Sequence, residues 1–360
     1  MTSQDERGAR GRDGAIAVKP SAPPRFDVGG LIRRPETGAL IGTVGVLVFF
    51  SIVGGRTFLS SAGVSSWLNV AAELGIIALP VGLLMIAGEL DLSVGSVLAA
   101  SSMTTSIVSG NWGMPVFVGI LSGLALGLLV GAANGLVVTR TRVPSFVVTL
   151  ATNFSVAGIT LALAIALTGS TSSSLSAGEP AKTLLGSLIG GQFEVAVIWW
   201  ALAVAVVGWL LHVSKYGNWI FAIGGDLESA RTMGIPINGV KIALYMSSAL
   251  GAALVGVIQA ILYNGAQVAA GQAFVFNSII AVVIGGVLLT GGYGSVVGIV
   301  MGTLTFAIVN QGIYFSGWDA NLASLILGLM LLAAVLMNNT FRRMALSYSP
   351  KSKPVEQGRR

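Results

Sequence analysis

The chain has no cysteine and a single histidine, His212. Disulfides, thiolate metal sites and cysteine nucleophiles are therefore excluded, and a single histidine leaves almost no basis for a zinc site or a histidine-based triad. Charge is also scarce. Only 9% of the 360 residues are Asp, Glu, Lys or Arg, against about 25% in an ordinary soluble domain. A water-facing globule of this length has too few polar side chains to cover itself. Catalytic and nucleotide motifs are missing as well. No G-x-x-x-x-G-K-[ST], HExxH or GxSxG occurs, so no P-loop binds ATP here. Gly292-Tyr293-Gly294-Ser295-Val296-Val297-Gly298 imitates a dinucleotide loop but is one residue too long.

What is present is apolar. Hydrophobic residues make up 54% of the chain, and the mean hydropathy is +0.85. Forty-nine glycines accompany them, a pairing that suits packed membrane helices, where small residues let backbones approach. Ten apolar stretches stand out: 38–55, 64–88, 92–109, 114–139, 143–168, 195–213, 242–263, 273–290, 295–315 and 320–337. Each is near the roughly 20 residues that cross a bilayer as a helix. The expectation is an all-α membrane protein with a polytopic bundle of about ten transmembrane helices in two five-helix halves. The strands of a membrane barrel, which alternate polar and apolar residues, are excluded.

The net charge of +6 is distributed in a way that points to membrane orientation rather than to nucleic acid. With the amino terminus inside and the spans alternating, 18 of the 20 Lys and Arg fall on the cytoplasmic side, and only Arg56 and Lys182 fall outside. That is the asymmetry of the positive-inside rule. Residues 1–37 then read as a disordered cytoplasmic tail, 38–337 as the transmembrane domain, and 338–360 as a second cytoplasmic tail. Residues 169–193 form a long outer connection and 214–241 a long inner one. The turns at Gly88–Gly95 and Gly291–Gly298 share a glycine followed by Ser-Val and another glycine, which hints at a duplicated architecture.

Few residues are suited to chemistry. Gly119, Gly123, Gly127, Gly131 and Gly135 recur every four residues, which makes a smooth helical ridge for close packing. Glu89, Asp91 and Ser93 lie within five residues of one another at a glycine-flanked break between two spans. Asp91 fits a cap on the next helix; Glu89 has no such duty and suits a polar pathway. Glu73 sits inside a span, where an ionised carboxylate costs about 2–3 kcal/mol or more, so it should face the bundle interior, protonated or paired. Asn153 and Asn310 are further intramembrane candidates for a pathway lining, while Asn69, Asn134, Gln259 and Gln311 read mainly as interhelical partners. In the inner loop, Asp226 fits an N-cap, Leu227 to Met233 two helical turns, Glu228 and Arg231 an i,i+3 pair, and Gly234 a helix stop before Pro236. A simple connector and a docking helix both account for that segment.

Four ordered segments carry a resemblance: GELDLSVGSVLA at 88–99, NGLVVTRTRVPSFVVTLAT at 134–152, AIGGDLESARTMGI at 222–235 and IIAVVIGGVLLTGGYGSVVGIVMG at 279–302. They resemble the ribose-type sugar permeases of bacterial ABC importers, from about residue 60 to 340. The family commonly has a second glycine where this chain has Glu89. The resemblance implies a non-catalytic inner-membrane subunit that pairs with a second permease copy. A separate cytoplasmic ATPase, which holds the ATP and magnesium, docks below, and an extracytoplasmic sugar-binding protein delivers substrate. It further implies that Asp226, Glu228, Ala230, Arg231 and Gly234 form the helix that couples to the ATPase. No cofactor or metal is expected in this chain, nor a nucleic-acid partner; membrane lipids surround it. The competing class is a self-contained secondary transporter or channel that would use Glu73 as a proton or cation site. An intramembrane enzyme is disfavoured by the lack of suitable side chains.

Overall fold

A computed structural model describes residues 35–347. Of the expected tails at 1–37 and 338–360, residues 1–34 and 348–360 lie outside the described residues, while 35–37 and 338–347 belong to helices. Helix α1 (Pro35–Val53) leads through the short α2 (Gly55–Phe58) into α3 (Ser61–Ile86). A turn at 87–93 precedes α4 (Val94–Ser106), which ends in a π-helical turn (Ile107–Asn111). Next come α5 (Val116–Arg140) and α6 (Ser145–Thr168). A connection then holds β1 (Ser172–Ser174), α7 (Glu179–Leu185), β2 (Leu188–Ile189) and β3 (Phe193–Glu194). It leads to α8 (Ala196–His212), α9 (Lys215–Gly225), α10 (Leu227–Thr232) and α11 (Ile237–Leu262). The chain continues through β4 (Gly265–Gln267), α12 (Gln272–Ile284), α13 (Val296–Ser316) and α14 (Leu322–Ser347).

Local chemistry sets many of these boundaries. The Ser60 hydroxyl accepts the Gly63 N–H at 3.2 Å to start α3, and Pro115 and Pro144 stand just before α5 and α6, where no helical N–H is lost. Pro80 lies inside α3 and leaves the Ile76 carbonyl without its usual donor. Helix α11 comes close at that point because it presents Gly251, where a Cβ would stand 2.9 Å from the Ile76 oxygen.

Helix α3 is the centre of the bundle. The most apolar part of it is 89% buried, whereas the corresponding part of α6 is 11% buried. Helices α8, α11, α12 and α13 pack on α3; α4 and α5 pack on α11, and α1 on α13. Helix α6 presents an apolar outer face instead.

Two small sheets sit at one end of the bundle. Strand β1 pairs antiparallel with β4, Ser172 opposite Gln267, and β2 with β3, Leu188 opposite Glu194. The connections after α6 and after α11 therefore meet at the same end. The turns at 87–93 and 285–295 meet the end of α9 at the other end, where the Gly292 N–H donates to the Ile86 carbonyl at 2.8 Å.

Each of the ten apolar stretches contains a helix, but they are not ten equivalent spans. Among the described residues, five helices are long and apolar enough to cross a membrane, or six when α8 and α9, bent by 71°, count as one. Thr37–Val53, Gln272–Ile284 and Leu322–Leu336 are shorter apolar helices. Helix α12 stops because Gly285 and Gly286 follow it, so the apolar run to 290 is only partly helix. Helix α4 is a 13-residue segment rich in Ser and Thr, about 20 Å long, short of a bilayer core of about 30 Å.

Candidate functional site

The turn at 87–93 places its two acids in different surroundings. Asp91 is 1% exposed. Its Oδ1 accepts the Ser93 N–H at 2.9 Å and the Ser93 hydroxyl at 2.6 Å. Its Oδ2 accepts the Ser248 hydroxyl from α11 at 2.8 Å. The Ser93 oxygen in turn accepts from Asn134 Nδ2 on α5 at 2.9 Å, and Asn134 Oδ1 accepts from Thr152 on α6 at 2.6 Å. Donors thus run in one direction, from α6 through α5 to the carboxylate, with a second arm from α11. A buried acid is tolerated because both of its oxygens accept hydrogen bonds.

Asp91 does not cap α4 as expected. Ser93 holds the N-cap position and makes no side-chain cap bond; the carboxylate folds back on Ser93 itself, two residues on, as in an Asx-turn. Glu89 has partners of its own: it pairs with Lys241 near the start of α11 and accepts the Tyr245 hydroxyl at 3.3 Å. The rest of the turn is pinned by α6, where Ser145 Oγ accepts the Leu90 N–H at 3.2 Å and Thr149 Oγ1 accepts the Leu92 N–H at 3.1 Å.

The other pathway candidates separate. Asn153 joins the same region, its Oδ1 accepting the Ser96 N–H at 3.3 Å. Glu73 is 13 residues from the end of α3, about 20 Å along the helix, and accepts Gln259 Nε2 from α11 at 2.8 Å. Its other oxygen has no hydrogen-bond partner. Glu194 lies within electrostatic reach of it, and burial pushes the Glu194 carboxyl above its usual range. Asn310 bonds only its neighbour Gln311, at 3.0 Å, among the contacts described.

The five-glycine ridge is buried along its whole length. Its upper part faces α4 and its lower part α11. A Cβ on Gly123 would lie 2.8 Å from the Ser101 carbonyl, and one on Gly127 would lie 2.5 Å from Ala253 Cβ. At Gly131 it would meet the Tyr245 carbonyl at 2.7 Å, and at Gly135 Ile242 Cα at 2.8 Å. Gly119 sits against Ser109 and the Thr105 carbonyl. The ridge is thus a seam that brings α5, and with it Asn134, up to the turn.

In the connection between α9 and α11, Asp226 Oδ1 accepts the Ser229 N–H at 2.8 Å and starts α10. That bond holds the Asp226 carboxyl below its usual range. Glu228 and Arg231 pair at 2.8 Å, both well exposed. Ala230 is the buried residue of the helix, and Gly234 follows at φ +74° as the left-handed stop.

Lys241, Tyr245 and Ser248 escaped the sequence reading. Their spacing of four and three puts them on one face of α11, which is the available signal; it names a face but not its partner.

A bundle of apolar helices around a buried polar turn defines a multi-pass membrane protein of the permease class. Residues 63–335 match the family described as branched-chain amino acid transport system / permease component, and the chain belongs to it. It is similar to Inner membrane ABC transporter permease protein YjfF of Escherichia coli, 32% identical over 62% of this chain and 67% of that one. The Xylose/arabinose import permease protein XylH of Sulfolobus acidocaldarius is 32% identical over 64% of this chain and 63% of its own length. The Fructose import permease protein FrcC of Rhizobium meliloti is 29% identical, covering 63% of each. The chain thus spans a little under or about two thirds of these relatives. No solved structure matches it.

Proposed function

We propose that this chain is the membrane subunit of an ATP-driven importer and forms the path for a monosaccharide delivered by an extracytoplasmic binding protein. The permease would work as a dimer in the inner membrane with both termini cytoplasmic. Hydrolysis would belong to a separate cytoplasmic ATPase, which carries ATP and magnesium. The observation that carries this reading is α10: a six-residue helix with its own Asp226 cap and Gly234 stop, its charged pair turned to solvent. An exposed Glu228–Arg231 pair adds only about 0.2–0.5 kcal/mol to a helix, so these charges are suited to a docking partner. The named substrates of relatives favour a pentose or hexose, although the family description names branched-chain amino acids.

Asp91 and Ser93 support the path by fixing the turn at 87–93, with Asn153 beside them. Glu73 belongs to a second polar cluster nearer the opposite end of the bundle. The test is reconstitution with an ABC ATPase and an extracytoplasmic sugar-binding protein. Uptake of labelled xylose, fructose or leucine is then followed with and without ATP. ATP-dependent uptake of a sugar is expected. Uptake that ignores ATP and collapses with the proton gradient would instead make the chain a secondary transporter.

A further inference from the structure

The connection that carries α10 grips the turn at 87–93 from both of its ends. Before α10, the end of α9 meets two turns backbone to backbone. A Cβ on Gly224 would collide with the Ile86 carbonyl oxygen and stand 2.5 Å from the Gly292 nitrogen. On Gly292 it would stand 3.0 Å from Gly225 Cα, and on Gly291 2.8 Å from Gly88 Cα. The Gly292 N–H closes the junction by donating to Ile86. After α10, Lys241 pairs with Glu89, the residue next to Gly88, and Tyr245 adds its hydroxyl one turn further on.

The two grips differ in kind but act alike. Side chains absorb small displacements by changing rotamer, whereas touching backbones have nothing to absorb them with. The ion pair is mostly buried, its side chains 14% and 11% exposed, so parting it exposes two charges to a poor solvent. Beyond the turn, the Asp91 relay reaches α5, α6 and α11.

We propose that these two grips make the turn at 87–93 a relay between α10 and the helices around Asp91. Gly224, Gly292, Glu89 and Lys241 are its positioning residues. This rests on the permease reading, in which a cytoplasmic ATPase moves α10. Displacing α10 then drags the turn at two points, and the turn carries Asp91 with it.

The experiment uses the full chain with its ATPase and binding protein in liposomes. Association, basal hydrolysis and stimulation by the loaded binding protein are measured for Gly224→Ala, Lys241→Met and the charge exchange Glu89→Lys with Lys241→Glu. Gly224→Ala and Lys241→Met are expected to keep association and basal hydrolysis and to lose stimulation by about tenfold, within the usual range of coupling between distant sites. The exchange is expected to recover most of what Lys241→Met loses, and unchanged association and basal hydrolysis separate that loss from one of folding. If Gly224→Ala does not assemble, Lys241→Met and the exchange decide the matter. Stimulation within about twofold of wild type in assembled Lys241→Met overturns the relay. A wild-type chain that neither binds nor stimulates the ATPase overturns the permease reading and the relay with it.

Discussion

The turns at 87–93 and 285–295 stand at corresponding places, each between two helices and each ending in a serine at the start of the next one, yet beyond the backbone contact they share at Gly88 and Gly291 they are held by different means. The first is held by side chains: Asp91, Ser93 and Glu89 bond to Ser248, Asn134, Tyr245 and Lys241. The second is held by backbone. Gly286, Gly291 and Gly292 all have positive φ, and Ser295 makes an ordinary cap, accepting the Gly298 N–H at 3.0 Å. A turn of backbone contacts fixes distance. A turn of buried charges responds to any neighbour that moves, because each of its bonds is directional and costly to leave unmade.

Removing the acid at the centre of the first turn is the severest way to break this contrast. Asp91→Ala strips the acceptor from the Ser93 N–H, the Ser93 hydroxyl and the Ser248 hydroxyl. Each unmade buried bond costs about 1–3 kcal/mol, so a loss of about 3 kcal/mol or more is expected. A fall in the thermal unfolding midpoint of the purified protein would report it. Asp91→Asn keeps one acceptor and should fall between. If Ala at this position unfolds like wild type, the two turns are equivalent after all.

Glu89→Gln should cost about 2 kcal/mol in the same assay, because Lys241 is left as a partly buried charge without its partner. Combining it with Lys241→Met should return part of that loss, since no unpaired charge remains. A double variant worse than the single one would mean that the pair is valued for more than its own neutralisation.

The glycine turn can be tested with a matched pair. Gly88 and Gly292 have φ of +81° and +76°. A Cβ on Gly88 finds nothing nearer than 3.8 Å, while one on Gly292 finds Gly225 Cα at 3.0 Å. Gly88→Ala should cost about 1–2 kcal/mol through backbone strain alone. Gly292→Ala should cost about 1 kcal/mol more because it also overpacks. Equal midpoints for the two would reduce Gly292 to a conformational role and remove the close approach from the account of the junction.

The sequence made some of this legible and concealed the rest for a physical reason. The helical stretches, the glycine ridge, the Asp226 cap and the Gly234 stop are local patterns, each written within a few residues. The partners of the first turn are not. Asp91 meets Ser248 across 157 positions, Glu89 meets Lys241 across 152, and Ser93 meets Asn134 across 41. No spacing rule reaches that far, so the sequence names no partner for Glu89 and reads Asp91 as a helix cap. Among the described residues only five or six helices are long and apolar enough to span, against ten apolar runs, for a related reason. Apolar runs locate helices well, but Gly285 and Gly286 cut α12 short inside one such run, and whether a glycine ends a helix or packs in it depends on its neighbours.

The smallest effect is expected at Asp226, which lies beyond both turns and tests whether α10 stands apart from them. The Ser229 N–H bond lowers the Asp226 carboxyl below its unfolded value of 3.8. A group whose pKa is depressed on folding contributes its stabilisation above the unfolded pKa and loses it as pH falls through the folded one. The cap should therefore be intact from neutral pH down to about 4 and weaken only below that. A carboxyl chemical-shift titration of the purified protein should place the Asp226 midpoint under 3.8. Asp226→Asn keeps a capping oxygen, so Ser229 amide exchange at neutral pH should stay near wild type, whereas Asp226→Ala should speed it. Neither change should move the unfolding midpoint set by Asp91, since Asp226 is exposed. A shared midpoint shift would show that α10 is part of the same cooperative unit as the turn, and not a separately formed helix held only at Gly224 and Lys241.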